Sequence, residues 1–435
     1  MHRSVVLAVL AGAVVSLSAQ SLPPVLHTGG FVNGNAPRAM TPDRVIVRFR
    51  GAVDEATLGE LASAAGIKLV DRGSHGEFYV FRCAPALVDA MVTWFGDQAG
   101  VEYAERDALA HTTVAPSDSY WSYQWSLFNQ GSASGTSVSN YGVRAEAAWA
   151  NGATGAGVVV AVVDTGVAYE NFGSFVAAPD LVGRTFVAPY DAVANDGHAN
   201  DENSHGTHVA GTIGQVTNNG IGCAGIARDC TIMPVRVLNA SGSGSYTQIA
   251  NGLAHAVANN AKVVNMSLGG GSGSTTLQNA VINAANAGLI LCAAAGNTGR
   301  RGVQYPAIYT QCIAVGATRF DGTKPRYGSY GPGLDVVAPG GDTSVDQNHD
   351  GYADGILQQT FASGSPASFG YYFFQGTSMA TPHVAAIAAL VWQVHPTWTA
   401  AQVRARIEST ATDLGAAGYD QTFGNGLVNA QLAAQ

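Results

Sequence analysis

Three polar residues in this chain have the types and settings that acyl transfer requires. Asp164 closes the apolar run Val158–Val163, inside AVVDTGV. A carboxylate in that setting is costly to bury without a task. His205 lies in the glycine-punctuated NSHGTHVAGTIG, and Ser378 in GTSMATPHVAAIAALVW. Taken singly, each has an ordinary reading: a turn acceptor or cap for Asp164, a satisfied histidine, a helix-capping serine. Together they form a working set. The hydroxyl attacks a carbonyl, the imidazole takes its proton, and the carboxylate fixes the imidazole tautomer and steadies its cation. His205 and His208 are three apart and could in principle ligate a metal. No Glu lies between them as in H-E-x-x-H, so neither His208 nor His383 is assigned.

Such a set needs elements that bring distant segments together. Short apolar runs, Val158–Val163, Ile232–Val237, Val263–Met266, Leu289–Ala295 and Ile313–Ala317, alternate with helical segments. Continuous apolar runs of this length suit parallel strands covered on both faces. The alternation predicts an α/β fold with a doubly wound, mainly parallel sheet. Active sites in such sheets gather at the carboxyl ends of strands, where Asp164 falls. Ala385–Trp392 is apolar on all faces and reads as a buried helix presenting Ser378 at its open end. Pro382 is read as lying in that helix's first turn, where a missing N–H is tolerated.

A different unit precedes this one. Arg44–Phe49 and Phe78–Phe81 read as strands, Glu55–Ala65 and Leu87–Phe95 as helices, and Val101–Tyr103 as a closing strand. This small α+β unit ends near His111, and a loose segment runs on to about Tyr123. At the extreme N-terminus, His2 and Arg3 precede an apolar stretch, Val5 to Leu17, followed by small residues. It is too short to span a bilayer and reads as a signal peptide. Secretion, extracellular or periplasmic, is therefore expected, with no membrane anchor.

The 435 residues are 47% hydrophobic and only 12% charged, which excludes a disordered chain. Net charge is −9, with no basic run, so nucleic acid is not an expected partner. Export places the cysteines in an oxidising compartment. The pairing Cys223–Cys230 with Cys292–Cys312 closes the shortest loops and is expected; buried free thiols are the alternative.

The segments around Asp164, His205 and Ser378, in that chain order, resemble the three signature blocks of the subtilase family. The resemblance covers roughly residues 120–435, and residues 43–110 resemble the inhibitory prodomain found ahead of many subtilases. It implies a signal peptide at 1–20, a linker at 21–42, a ferredoxin-like inhibitor and chaperone prodomain at 43–110, a processing linker at 111–123 and a catalytic domain at 124–435. Ser378 would be nucleophile, His205 general base and acid, and Asp164 the orienting carboxylate. Asn297, in CAAAGNTG, matches the oxyanion-hole asparagine; before Gly299 it also reads as a turn residue. Substrate would add as a strand between Gly242–Tyr246, which includes Gly244, and Ser267–Gly269. Tyr246, Ile249 and Leu268 would line an apolar pocket for the fourth residue before the cut. Ser267, Leu268, Gly269, Ala294–Gly296 and Gln304–Tyr305 would frame the pocket beside it. No acid appears there, so a neutral residue is expected before the cut.

Calcium is the expected cofactor. Asp346, Asn348, Asp350 and Asp354 fall at positions 1, 3, 5 and 9 of an EF-hand-type loop, with Gly351 at position 6 and Leu357 in place of the closing Glu. Asp191, Asp196 and Asn200 form a second set by resemblance. Asp180, Asn219 and Gln124 form a third, with the carbonyls of Ile221 and Cys223.

The function implied is a secreted serine endopeptidase of broad specificity. It would act on protein and peptide substrates as a monomer, held in check by its own prodomain and released by cutting near Thr113–Val114. Three alternatives stand beside it. An α/β hydrolase would carry Ser in G-x-S-x-G, unlike GTSMA. A silent binding relative would lack one of the four catalytic positions, and all four are present. A tripeptidyl-peptidase-type exopeptidase of the same family stays open.

Overall fold

The computed structural model describes residues 5–8, 14–17, 40–73, 77–108, 115–128, 139–362 and 364–435. The chain divides into two units, Met1–Thr112 and Thr113–Gln435.

In the first unit, β1 (Val5–Ala8) and β2 (Val14–Leu17) pair antiparallel. There follow β3 (Met40–Phe49), α1 (Glu55–Ala65), β4 (Lys68–Arg72), β5 (Tyr79–Arg82), α2 (Val88–Gly96) and β6 (Val101–Ala108). The last four strands form an antiparallel sheet in the order β4-β5-β3-β6, a ferredoxin-like βαββαβ arrangement. Asp54 caps α1 by accepting the Thr57 N–H, and Gly66, at φ 66°, ends it. Val47, Phe81, Met91 and Phe95 are among the residues that fill the core. Two features differ from the sequence reading. β4 was not expected: KLVDR is half-polar and lies at the sheet edge, where burial leaves little periodic signal. β3 begins at Met40, inside the expected linker, because its start pairs with Ala108 at the end of β6.

The second unit contains α3 (Ala145–Ala150), β7 (Val159–Asp164), β8 (Tyr190–Asp191), α4 (His205–Gly214), β9 (Thr231–Arg236), α5 (Tyr246–Ala258) and β10 (Val263–Met266). It continues with α6 (Thr275–Asn286), β11 (Ile290–Ala294), β12 (Cys312–Thr318), β13 (Val336–Pro339), β14 (Ile356–Phe361), β15 (Phe369–Phe374), α7 (Thr377–Val394) and α8 (Ala400–Ser409). Seven strands form one all-parallel sheet, ordered β13-β12-β11-β10-β7-β9-β8. Successive strand residues point to opposite faces, and both faces are covered. Val160, Val162 and Val315 pack in the core with α4 and α7, whereas Ala161, Val163 and Ala314 pack with α5 and α6. That is why the strands read as nearly continuous apolar runs. From β9 on one side of β7 the chain crosses to β10 on the other. The crevice between β7 and β10 is thus the topological switch point.

All five cysteines are buried free thiols, which corrects the expected pairing. Cys312 lies opposite Leu291 on β11, so Cys292, one residue further, points to the other face. Cys223 engages Asp180 through its amide, while Cys230 Sγ packs over Gly214. Among the described residues, no helix is long and apolar enough to cross a membrane.

Candidate active site

Asp164 is the last residue of β7 and is fully buried. His205 opens α4, and its Nδ1 lies 2.7 Å from Asp164 Oδ1, which also accepts the Thr165 N–H. A carboxylate only accepts, so the proton of this hydrogen bond sits on Nδ1 and Nε2 carries the lone pair. Burial disfavours the imidazolium. The charge of Asp164, its hydrogen bond and the charge of Asp201 outweigh burial and hold the pKa above the usual histidine value. Gly206 permits the close approach: a Cβ there would come 2.1 Å from the Gly166 carbonyl and 3.2 Å from Asp164 Cβ.

Ser378 is the second residue of α7, behind Gly376, whose φ of 147° only glycine adopts readily. Its Oγ donates to the Ser267 carbonyl at 3.1 Å, so the hydroxyl is turned to Ser267 rather than to His205. In return, Ser267 Oγ donates to the Ser378 carbonyl at 2.7 Å, and Asn265 Nδ2 donates to Ser267 Oγ. The reason lies at Pro382. It is the sixth helical residue, not part of the first turn as the sequence suggested. Its missing N–H is the one that the Ser378 carbonyl would have accepted, and Ser267 supplies the replacement.

Asn297 follows β11. Its Oδ1 accepts both the N–H and the Oγ1 of Thr377, each at 2.9 Å. Because that backbone N–H can only donate, the amide orientation is fixed, and Nδ2 has no hydrogen-bond partner among the described residues. Thr377 thus anchors Asn297 beside Ser378. His205 and Ser378 open into one cavity of about 540 Å³. Its walls include Gly244, Tyr246, Ile249, Ser267, Leu268 and Gly269, the six residues singled out for substrate. The Gln304 side chain packs against Gly269 and Gly296, and its Oε1 lies 2.5 Å from where a Cβ on Gly296 would sit. Arg301 bonds to Gln421 and Arg300 is exposed.

The sequence profile of the Subtilase family matches residues 155–426. Subtilisin E of Bacillus subtilis is 38% identical over 424 residues, covering 94% of this chain and 96% of that protein. Subtilisin Savinase of Lederbergia lenta is 43% identical over 294 residues, covering 67% and 96%. A solved protease of Pseudoalteromonas arctica superposes with a TM-score of 0.64 at 34% identity, covering 74% of this chain and 99% of its own. A cold-adapted subtilisin-like serine proteinase gives 0.51 at 33% identity, covering 63% and 88%. The chain belongs to the subtilase family of serine proteases.

The three candidate cation sets of this subtilase differ. In the loop 346–354, Asp346 Oδ1 and Asp354 Oδ1 are buried without a hydrogen-bond partner. Asp354 is 2% exposed, and burial, followed by the charges of Asp346 and Asp350, pushes its carboxyl up to about 6. Asp350 exchanges bonds with Asn348. Hard oxygen atoms without donors fit a cation. In the second set, Asp191 is ion-paired with Arg236, which also reaches Glu202. Asp196 caps a turn at His198, and Asn200 donates to Glu170. A guanidinium already supplies the positive charge there. In the third set, Asn219 Nδ2 donates to Asp180 Oδ1, and Gln124 bonds both backbone polar groups of Ala224. The Asp180 carboxylate also accepts from Cys223 N–H and Tyr371. Among the described residues, no three His, Cys, Asp or Glu side chains form a metal-holding group by themselves, so loop 346–354 would need amide and carbonyl oxygens as well.

His208 and His383 are fully buried and act structurally. His208 Nε2 bonds the Ile356 and Tyr372 carbonyls, and its ring stacks on Phe374. His383 Nδ1 bonds the Met379 carbonyl. Burial lowers them to about 3 and about 4. Sequence reasoning missed Asn265, which has no motif of its own, and Asp201. The available signal for Asp201 was an acid four residues before His205, which reads as an ordinary cap.

Proposed function

We propose that this subtilase is a secreted serine endopeptidase that cleaves proteins through Ser378, His205 and Asp164, after releasing itself from its own N-terminal prodomain. The observation that carries the reading is the 2.7 Å contact between His205 Nδ1 and Asp164, with Ser378 facing the same cavity. For attack, Ser378 Oγ exchanges the Ser267 carbonyl for His205 Nε2, a rotation about one side-chain bond. His205 takes the hydroxyl proton as the Ser378 Oγ–carbonyl bond forms. It then returns the proton to the leaving amine, and the acyl-enzyme is hydrolysed by water activated the same way. The free Asn297 Nδ2 and the Ser378 N–H, one of the helix-end donors without an intrahelical acceptor, would hold the developing oxyanion.

The polypeptide substrate would lie as a strand between 242–246 and 267–269. Gln304, polar but uncharged, agrees with a neutral residue before the cut. Calcium would be a structural cofactor. Asp346, Asn348, Asp350 and Asp354 are the residues that fit it, and a bound ion would neutralise their mutual repulsion. Secretion rests on the N-terminal segment 1–20. The division into prodomain, processing linker and catalytic domain rests on the family resemblance and on the ferredoxin-like unit of residues 40–108.

The test is Ser378→Ala. Loss of about 10⁶-fold in kcat is expected, the size of loss that removing the serine causes in subtilisin. A serine-directed phosphonate should label Ser378 alone. Turnover near wild type in a contaminant-free preparation would overturn the assignment.

A further inference from the structure

We propose that Asp201 is the positioning residue of His205: its buried carboxylate clamps the backbone around the imidazole to the end of β7 and places a second negative charge behind it. The inference rests on the triad reading above. Asp201 is 1% exposed and belongs to no regular element. Its Oδ1 accepts from Thr165 Oγ1 at 2.9 Å, Asn203 N–H at 2.9 Å and Ser204 N–H at 3.0 Å. Its Oδ2 accepts from Thr207 N–H at 2.9 Å and Thr207 Oγ1 at 2.7 Å. The two hydroxyls carry the clamp further. Thr165 Oγ1 accepts the Gly206 N–H, and Thr207 Oγ1 accepts the Ala168 N–H. Residues 203, 204, 206 and 207, two on each side of His205, are thereby bound to Asp201 directly or through one hydroxyl. The same carboxylate holds Thr165, the residue after Asp164.

Two details show what the clamp does. Ser204, immediately before His205, has a φ of 93°, a left-handed conformation that a serine does not adopt unaided. It is the N-cap residue of α4, yet its own side chain makes no capping bond. Asp201 caps the helix from three residues further back. Burial pushes its pKa up, but three backbone N–H groups, which can only donate, and two hydroxyls converge on its oxygens and favour the carboxylate over the acid. The charged groups acting on His205 are then few. Asp164 faces it from β7 and Asp201 from the preceding loop. His208, next on α4, is kept neutral by burial. Arg236 on β9 is engaged by Asp191 and Glu202.

The experiment compares Asp201→Asn with Thr207→Ala. Asn keeps one acceptor oxygen but removes the charge; Thr207→Ala keeps the charge but cuts one arm of the clamp. In the inactive Ser378→Ala background, the His205 imidazole is titrated by NMR. Asp201→Asn is expected to lower its pKa by about one unit, and Thr207→Ala to leave it in place. In the active enzyme both should lower kcat, by about 10–100-fold for a displaced base, with little change in KM. For Asp201→Asn alone, the acid limb of kcat/KM should move to lower pH. An unchanged imidazole pKa in folded Asp201→Asn overturns the electrostatic half of the proposal. Undiminished kcat in both variants overturns the clamp. Should Asp201→Asn not fold, Thr207→Ala still tests the clamp, and Asp201→Glu, which restores the charge at a shifted position, tests the pKa. Phosphonate labelling of wild-type Ser378 separates the two readings: without labelling the triad itself fails, and with it only the role of Asp201 is at stake.

Discussion

Ser267 and Ser378 exchange two hydrogen bonds: Ser378 Oγ donates to the Ser267 carbonyl, and Ser267 Oγ donates to the Ser378 carbonyl. The second bond exists because Pro382 cannot supply the helical donor. The strand-end loop after β10, which is also a wall of the cleft, therefore holds the residue that reacts.

Ser267→Ala should expose that dependence. It leaves the Ser378 carbonyl without its donor and Asn265 Nδ2 without its acceptor. Leaving a part-buried polar group unpaired costs about 1–3 kcal/mol. A lower urea midpoint and a kcat reduced about 10-fold are expected, since misplacing a reacting group by a fraction of an ångström already slows the reaction. Unchanged values for both in a kinetic and unfolding series would show that the Ser378 carbonyl is satisfied elsewhere.

The pH dependence of kcat/KM follows from His205. Its free base must be available to take the Ser378 proton. Because Asp164 and Asp201 raise its pKa despite burial, activity should fall with decreasing pH through a midpoint above about 6.5, the ordinary histidine value. A midpoint below that value, measured on a neutral peptide substrate, would contradict the geometry.

Two other histidines lower acid stability, opposed in part by Asp354, whose raised carboxyl pKa favours the folded state as pH falls through about 6. His208 and His383 have pKa values lowered to about 3 and about 4 in the folded state, against about 6.5 unfolded. Between these values the unfolded chain binds more protons, so stability falls as pH drops from 6.5 toward 4. Each histidine contributes a loss of up to about 1.4 kcal/mol per pH unit in that window. Urea unfolding of Ser378→Ala, which cannot digest itself, should show a markedly lower midpoint at pH 5 than at pH 7. His383→Gln should flatten the slope if the fold tolerates it, and an equal slope would place the acid sensitivity elsewhere.

Calcium should raise the melting temperature. A site filled at 100 times its Kd adds about 2.7 kcal/mol. Asp354→Asn removes a carboxylate whose Oδ1 has no donor, and should abolish most of the calcium-dependent shift while leaving the chelated protein little altered. A full shift in Asp354→Asn would move the site away from loop 346–354, and no shift in the wild type would remove calcium from the reading.

How far the sequence reached differs by element. Strands buried on both faces were legible because nearly all their residues are apolar; Val263–Met266, apolar but for Asn265, was placed to the residue. The edge strand β4 was not, since edge residues answer to solvent as much as to the core. Asp164, His205 and Ser378 could be found because together they supply the acid, imidazole and hydroxyl of acyl transfer, in three blocks that resemble those of the family. The contacts that orient them could not. Ser267 reaches the Ser378 carbonyl across 111 positions in sequence, and Asp201 looks like any acid before a helix. Arg236 on Asp191 was equally hidden, because its partner lies 45 residues away.

Maturation is the last expectation. A secreted protease must stay silent until it is folded, and a tail lying in the cleft as an added strand would silence it. The expected tail, Ala110-His111-Thr112-Thr113, falls within residues 109–114, outside the described residues. The expectation therefore rests on side-chain chemistry. Ala110 is small enough for the part of the cleft lined by Tyr246, Ile249 and Leu268, and Thr113 is neutral, as expected if the acid-free segments around Ser267–Gly269 and Gln304 frame the neighbouring pocket. Cleavage is expected at Thr113–Val114, within about four residues either way. N-terminal sequencing of the mature protein checks it. A start before residue 105 or after 125 would refute the site. Maturation of pure Ser378→Ala precursor at the wild-type rate would show that another protease makes the cut.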